Sequence, residues 1–273
     1  MEGFGEIALN ERAFIRSIIL SDGLTEIGEF AFYNCVNLET IVIPKTVTKI
    51  DRYAFAHSKL KSIILPYKIT EIREYTFYEC RKLENVVIPE TVTNIGSFAF
   101  THSGLKSITL PHGLTEIGKN IFNCCFYLKN VILPETVTKI GPGAFAYSGL
   151  KSITLLDGRL TEIGGDAFYK CRNLESVSIP NSVTKIGPGA FEDSGLKSIT
   201  LLDGRLTEIG EKAFYECSNL ETVVIPDSVT KIGRYAFAKS TLKSITLPSR
   251  LTKIGENAFQ DCSNLVIKYR NQP

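Results

Sequence analysis

Aliphatic and small polar residues alternate along this chain in short bursts. In Leu105-Lys106-Ser107-Ile108-Thr109-Leu110, Ile108 and Leu110 fall on one side of an extended segment and Ser107 and Thr109 on the other. That two-residue period is the mark of a strand. A proline follows most bursts, as at Pro44, Pro66, Pro89 and Pro111; lacking an N–H, it ends the strand's ladder. Between bursts lies Ile-Gly-x-x-Ala-Phe, in which nothing alternates. This second segment predicts a turn and a short helical piece that carries the chain back.

The two patterns recur in fixed phase. From Leu24 the sequence divides into ten units of 22 or 23 residues covering 24–250, with a partial eleventh at 251–265. Units ending in Cys-x-x-Leu alternate with units ending in Ser-x-Leu. Residues 1–23 hold a degraded unit whose Ile15–Leu20 still reads as a strand, and 251–273 form the partial repeat and a C-terminal cap. A unit this short cannot bury its own apolar face, so units must stack around one continuous core. The expected architecture is a single solenoid over 1–273. It is an α/β repeat with a curved parallel β-sheet on the concave face and turns or short helical segments on the other. Adjacent strands should lie ~4.8 Å apart. One Phe stands at the same place in every unit, from Phe32, Phe55 and Phe77 to Phe237 and Phe259, which predicts an internal spine of rings.

The unit Ile-Gly-x-x-Ala-Phe-x-x-Cys-x-x-Leu-x-x-Val-x-Ile-Pro, complete at Ile209 to Pro226, resembles the BspA-like, or Treponema pallidum-type, leucine-rich repeat. The resemblance covers about residues 7–265. Its departures are the loss of Pro in the Leu-Leu-Asp-Gly-Arg stretches 155–159 and 201–205, and an irregular unit at 114–136. The resemblance implies a parallel solenoid. It also implies surface-exposed adhesion or host interaction, although a fold by itself does not fix a function.

Cysteine usage fits a structural ladder. Cys35, Cys80, Cys125, Cys171, Cys217 and Cys262 recur in every second unit, with Ser58, Ser103, Ser148, Ser194 and Ser240 between them. Two units apart is roughly 10 Å, beyond the Cα separation of about 4.4–6.8 Å that a disulfide spans. These side chains are expected to be buried and to serve backbone groups at the turn. Cys124 lies off the ladder and is expected to be exposed. His57 and His102 hold equivalent places two units apart and His112 lies on another loop. Such dispersal does not converge on a metal ion.

Two columns of charge run along the units: Glu26, Lys49, Glu71, Asn94, Glu116 and onward to Lys231, and Glu39, Lys61, Glu84, Lys106, Lys129, Lys151 and onward to Lys243. Neighbours of opposite sign help the stacking by a few tenths of a kcal/mol. No carboxylate pair, Ser/His/Asp set or phosphate loop stands apart from the repeat, so no catalytic residue and no cofactor is nominated. A formal net charge of +2 gives no general pull toward nucleic acid, and the apolar runs are too short to insert in a membrane. The start Met1–Asn10 has neither a basic nor an apolar signal region. The protein is therefore expected in the cytoplasm if Met1 is the native start, and at the cell surface by resemblance.

Where so regular a sequence breaks its pattern is where a partner-binding surface is sought. In 114–136 Lys129 replaces Glu, placing Lys106, Lys129 and Lys151 in succession, and Phe126 and Tyr127 replace a polar pair. Basic and aromatic residues together suit an interface hot spot; drift in a tolerant repeat is the alternative. A second candidate is the aromatic run Phe30, Tyr53, Tyr75 and Phe98 just before Ala-Phe, restored once at Tyr235. The alternative there is that the rings cover backbone. The outward strand positions, such as Ser107/Thr109 and Asn130/Ile132, form a smooth face that can take an extended peptide or a protein surface. The loop residues Asp157, Arg159, Asp203 and Arg205 read as turn formers. The partner expected is a protein, by resemblance one of a host or its matrix, met by a monomer or a weakly self-associating chain. The rival readings are an intracellular scaffold and a self-assembling rod.

Overall fold

The computed structural model describes residues 14–156 and 158–270, so Asp157 and most of the degraded first unit lie outside the described residues. Each coil contributes one strand of three or four residues and one of two, such as Ser107–Thr109 and Glu116–Ile117. Every recorded pairing is parallel and in the register of the repeat, for example Asn130↔Ser152 and Glu162↔Lys185. The chain is a parallel β-solenoid. Its first described strand, Ser17–Ile19, pairs with Thr40–Val42, as the reading of Ile15–Leu20 requires.

The third side of each coil corrects the expectation of a helical piece, because no helix occurs among the described residues. The Ile-Gly-x-x-Ala-Phe segment is a run of tight turns. Two residues per coil have left-handed backbone: the one before Ala-Phe, as at Phe30, Tyr53 and Asp166, and the one before Cys or Ser, as at Asn34, His57 and Lys170. Each reversal of φ stops a helix from propagating. The amides so turned outward along the solenoid axis bond to the next coil instead. Asp166, Phe168 and Lys170 donate to the carbonyls of Pro188, Ala190 and Glu192 at 2.8, 2.7 and 2.8 Å. A left-handed residue with a side chain costs roughly 1–2 kcal/mol, and these coil-to-coil bonds offset that cost.

Inside, the Phe spine is as expected. Phe32 through Phe237 are fully buried, and adjacent rings stack with centroids from 5.0 Å (Phe168–Phe191) to 5.8 Å (Phe237–Phe259). Beside it runs the thiol ladder. Cys80 Sγ donates to the carbonyl of Phe55 at 3.0 Å and meets Ser58 Oγ at 3.4 Å, and the arrangement repeats at Cys125, Cys171, Cys217 and Cys262. No disulfide joins the described cysteines to one another. Cys124 departs from expectation: its left-handed backbone turns the side chain against the coil, and it is half-buried.

Close approach of coils depends on the Gly after each Ile. A Cβ on Gly187 would lie 2.6 Å from the nitrogen of Gly165, and one on Gly210 2.6 Å from the carbonyl carbon of Gly187. The two-residue strands pair without interruption from Glu116–Ile117 to Lys253–Ile254. Before that, the ladder is cut between Ile50 and Ile72 and again between Ile95 and Ile117. The coil beyond each cut replaces the small Ala of Ala-Phe, with Thr76 in one and Ile121 in the other, both buried. Asp51 and Arg73 also replace Gly at the first cut, and their 3.0 Å ion pair spans it. The larger side chains coincide with the cuts in the short-strand ladder, while the turn-side amides still bridge the first one, Phe55 donating to Thr76 at 3.0 Å and His57 to Tyr78 at 2.8 Å.

Two outcomes test this packing. Gly187→Ala should cost about 1–3 kcal/mol by overpacking, read as a lower Tm; an unchanged Tm would show that the coils are not in backbone contact there. The second concerns the thiols. Burial pushes those of Cys80, Cys125, Cys171 and Cys217 from the ordinary 9.0 up to about 12. The unfolded thiol ionises first as pH rises, so this contribution to stability is complete below pH 9 and is lost between 9 and about 12. Iodoacetamide should accordingly modify Cys124 well ahead of Cys35, Cys80, Cys125, Cys171 and Cys217 in the folded protein. Early loss of the ladder thiols would contradict their burial.

Candidate functional site

The column of charge beside the longer strands shows what the irregular unit does. In the regular coils a Glu and the Lys of the next coil form a pair: Glu39–Lys61 at 2.6 Å, Glu84–Lys106 at 2.6 Å, Glu175–Lys197 at 3.0 Å and Glu221–Lys243 at 2.6 Å. Lys129 stands where the fifth Glu belongs. Among the described residues neither Lys129 nor its neighbour Lys151 makes an ion pair, and both are exposed. Lys106, which the sequence groups with them, is instead neutralised by Glu84. The run of three lysines is thus a pair, produced by one change of charge at 129.

The same coil carries the apolar residues that protrude most from its part of the molecule. Phe126 is 57% exposed, Tyr127 62% and Ile132 71%. All three leave the chain within one pass, from the turn after Cys125 to the strand Asn130–Ile132. Val131 is buried beside Ile132, so the alternation of the strand turns Ile132 outward, while Phe126 and Tyr127 protrude from the turn before the buried Leu128. Two depressions flank the lysine pair. On the sheet side a groove of about 620 Å³ is bounded by Thr109, His112, Ile132, Leu133, Glu135 and Leu156. On the turn side a notch of about 430 Å³ is bounded by Phe126, Tyr147, Gly149, Lys170, Arg172 and Asn173.

Several of these residues were not singled out from sequence. Leu156 sits in one of the two stretches that lost proline. Tyr147 occupies a left-handed position that is His, Glu or Lys in other units. The Lys170 ammonium lies 5.4 Å from the Tyr147 ring centroid and 5.0 Å from that of Tyr169. Hydrogen bonding to Tyr169 holds it above the usual lysine range. Arg172 pairs with Asp193 at 2.6 Å. The signal available in sequence was the coincidence of unusual residues in adjoining units, which becomes meaningful only once the coils are stacked.

The aromatic run is brought together in a different way from that expected of a surface stripe. Phe30, Tyr53, Tyr75 and Phe98 are half-buried, with left-handed backbone, and stack face to face at 5.0, 4.6 and 4.8 Å. Lys119 lies 5.8 Å from the Phe98 centroid and covers the end of the stack. Each ring's faces are occupied by its neighbours, leaving edges to solvent. Where the aromatics stop, the position is taken by Asn120, Gly143, Asp166 and Gly189, residues that adopt positive φ at little cost, and then by Lys212, Tyr235 and Asn257. Of the loop residues, Asp203 pairs with Arg270 at 3.4 Å. Lys268 and Tyr269 belong to a last strand, Val266–Tyr269.

Parallel coils of one longer strand, one two-residue strand and a tight-turn return on a Phe spine define a leucine-rich-repeat solenoid with a locally modified surface. The chain belongs to the BspA-type leucine-rich-repeat family, whose repeat region, in 6 copies, matches residues 4–122, 48–163 and 156–266. Its fold is similar to that of a leucine-rich repeat protein from Bacteroides ovatus, at 29% identity and a TM-score of 0.71 over 94% of this chain and 84% of that one. A leucine-rich cell surface protein from Faecalibacterium prausnitzii is similar at 28% identity and 0.56, over 98% and 83% of the two chains. A leucine-rich repeat protein from Eubacterium ventriosum, at 22% identity and 0.57 over 100% and 91%, shares the fold. No curated protein matches the sequence. Among the described residues no helix is long and apolar enough to cross a membrane.

Lys129→Glu restores the regular column and should stabilise the fold by about 0.2–1 kcal/mol at low salt, with the gain fading as salt rises. A melting curve that falls instead would show that Lys129 has a structural partner.

Proposed function

We propose that this protein is a non-enzymatic protein-binding module, displayed at a cell surface for adhesion or host interaction. The observation that carries the reading is the coil 126–132, where the exposed Phe126 and Tyr127 and an unpaired lysine pair interrupt the Glu–Lys column beside the exposed Ile132. Exposed aromatic side chains beside cations are the usual energetic centre of an interface. Family membership and the likeness to a leucine-rich cell surface protein support placing it outside the cell.

Purified chain should bind one or more members of a panel of extracellular-matrix proteins in surface plasmon resonance. Binding should weaken by about tenfold or more in Phe126→Ala/Tyr127→Ala/Lys129→Glu with melting unchanged. Binding that ignores the triple substitution would place the contact elsewhere on the solenoid. No binding to any matrix protein would overturn the adhesion reading.

A further inference from the structure

We propose that the surface across coil 126–135 takes an extended acidic peptide segment, with one carboxylate on Lys129 and Lys151 and an apolar side chain in the depression on either side. The inference rests on reading the chain as a protein-binding module and specifies the partner's chemistry at that site.

The charge pattern selects the centre of the ligand. Lys129 and Lys151 sit on adjoining coils, since the amide of Lys151 donates to the carbonyl of Lys129 at 2.8 Å. Their stems are therefore about one strand spacing apart, ~4.8 Å, and the two ammoniums can reach one carboxylate together. A charge-assisted hydrogen bond from each would satisfy two cations that the fold leaves without a partner. The patch is also short. Glu84, bound to Lys106, and Glu175, bound to Lys197, close the column at either end. A long polyanion would run into a carboxylate in both directions, whereas a ligand with one or two acidic groups would not.

The flanks select the rest. On the sheet side Ile132, Leu133 and Leu156 offer apolar surface to a ligand side chain, and on the turn side Phe126 and Tyr147 do the same. From Phe126 to Ile132 the chain can span at most about 20 Å, so the two anchors of a bound peptide lie within about six residues of each other. The two outer walls differ in charge: Glu135 borders the groove, whereas the notch carries Lys170 and an Arg172 already paired with Asp193. Extra acidic groups beyond the anchors would be repelled by Glu135. The pattern favoured is apolar, acidic, apolar, with a neutral or basic end on the groove side.

The test is selection of a phage-displayed random dodecapeptide library on the full chain, followed by fluorescence-polarisation titration of the enriched peptides. Enrichment should place Asp or Glu between two large apolar residues. Binding should fall about tenfold or more in Lys129→Glu/Lys151→Glu, and Ile132→Ser should weaken it without altering its salt dependence. The charge-reversed variant should select Lys or Arg at the central position. Enriched peptides without an acidic residue, or binding indifferent to charge reversal, would overturn the proposal. So would a heparin-derived sulfated oligosaccharide that binds more tightly than any peptide through the same lysines, since it would assign the patch to a polyanion. A chain that binds matrix protein but no acidic peptide would sink this inference alone; one that binds neither would sink the module reading as well.

Discussion

Backbone must meet backbone at one repeat distance along the whole solenoid, because no coil of 22 or 23 residues has a core of its own. The Phe rings stack at 5.0–5.8 Å, slightly more than the ~4.8 Å spacing of paired strands, which a tilted ring accommodates. Strand pairing, the turn-side amide ladder, the thiol hydrogen bonds and the ion pairs all have to share that distance. Thr76 and Ile121, both larger than Ala, mark where the ladder of short strands is cut, while the turn-side amides, the thiol bonds and the Phe spine run on across both places.

The same constraint explains why the surface is informative. In a stacked array each exposed side chain has a counterpart one coil up and one coil down, and the regular columns satisfy their own charges. Lys129 cannot be neutral in its effect, because Lys151 was placed to meet a Glu. One substitution therefore produces two free cations. The coincidence of that pair with Phe126, Tyr127 and Ile132 gives this coil a chemical character that the rest of the strand face does not have.

The aromatic run carries the opposite lesson. Four bulky residues with left-handed backbone suggest a functional site, since strain of this kind often marks one. Here stacked rings and coil-to-coil hydrogen bonds offset the strain within the array itself. In later coils Asn, Gly and Asp take the same backbone conformation at little cost, whereas Lys212 and Tyr235 take it with neither that chemistry nor a stacked ring, held by their amides' bonds to the next coil.

The sequence by itself determined the repeat length, the strand phase, the Phe spine, the Cys/Ser ladder, the pairing of charge columns and the outward row that includes Ile132. These are legible because they follow from periodicity and from the chemistry of one residue type at one place. Only the tertiary structure decided the rest. It showed that the return segment is turns with two left-handed residues and not a helical piece, because Phe, Tyr, Lys and Glu give no local sign of positive φ. It showed Cys124 half-buried, Lys106 neutralised by Glu84, and Tyr147 and Leu156 bordering the depressions beside Lys129 and Lys151. Each of these depends on which side chain lies across the gap between coils, a relation that a linear sequence holds but that distance and direction alone make visible.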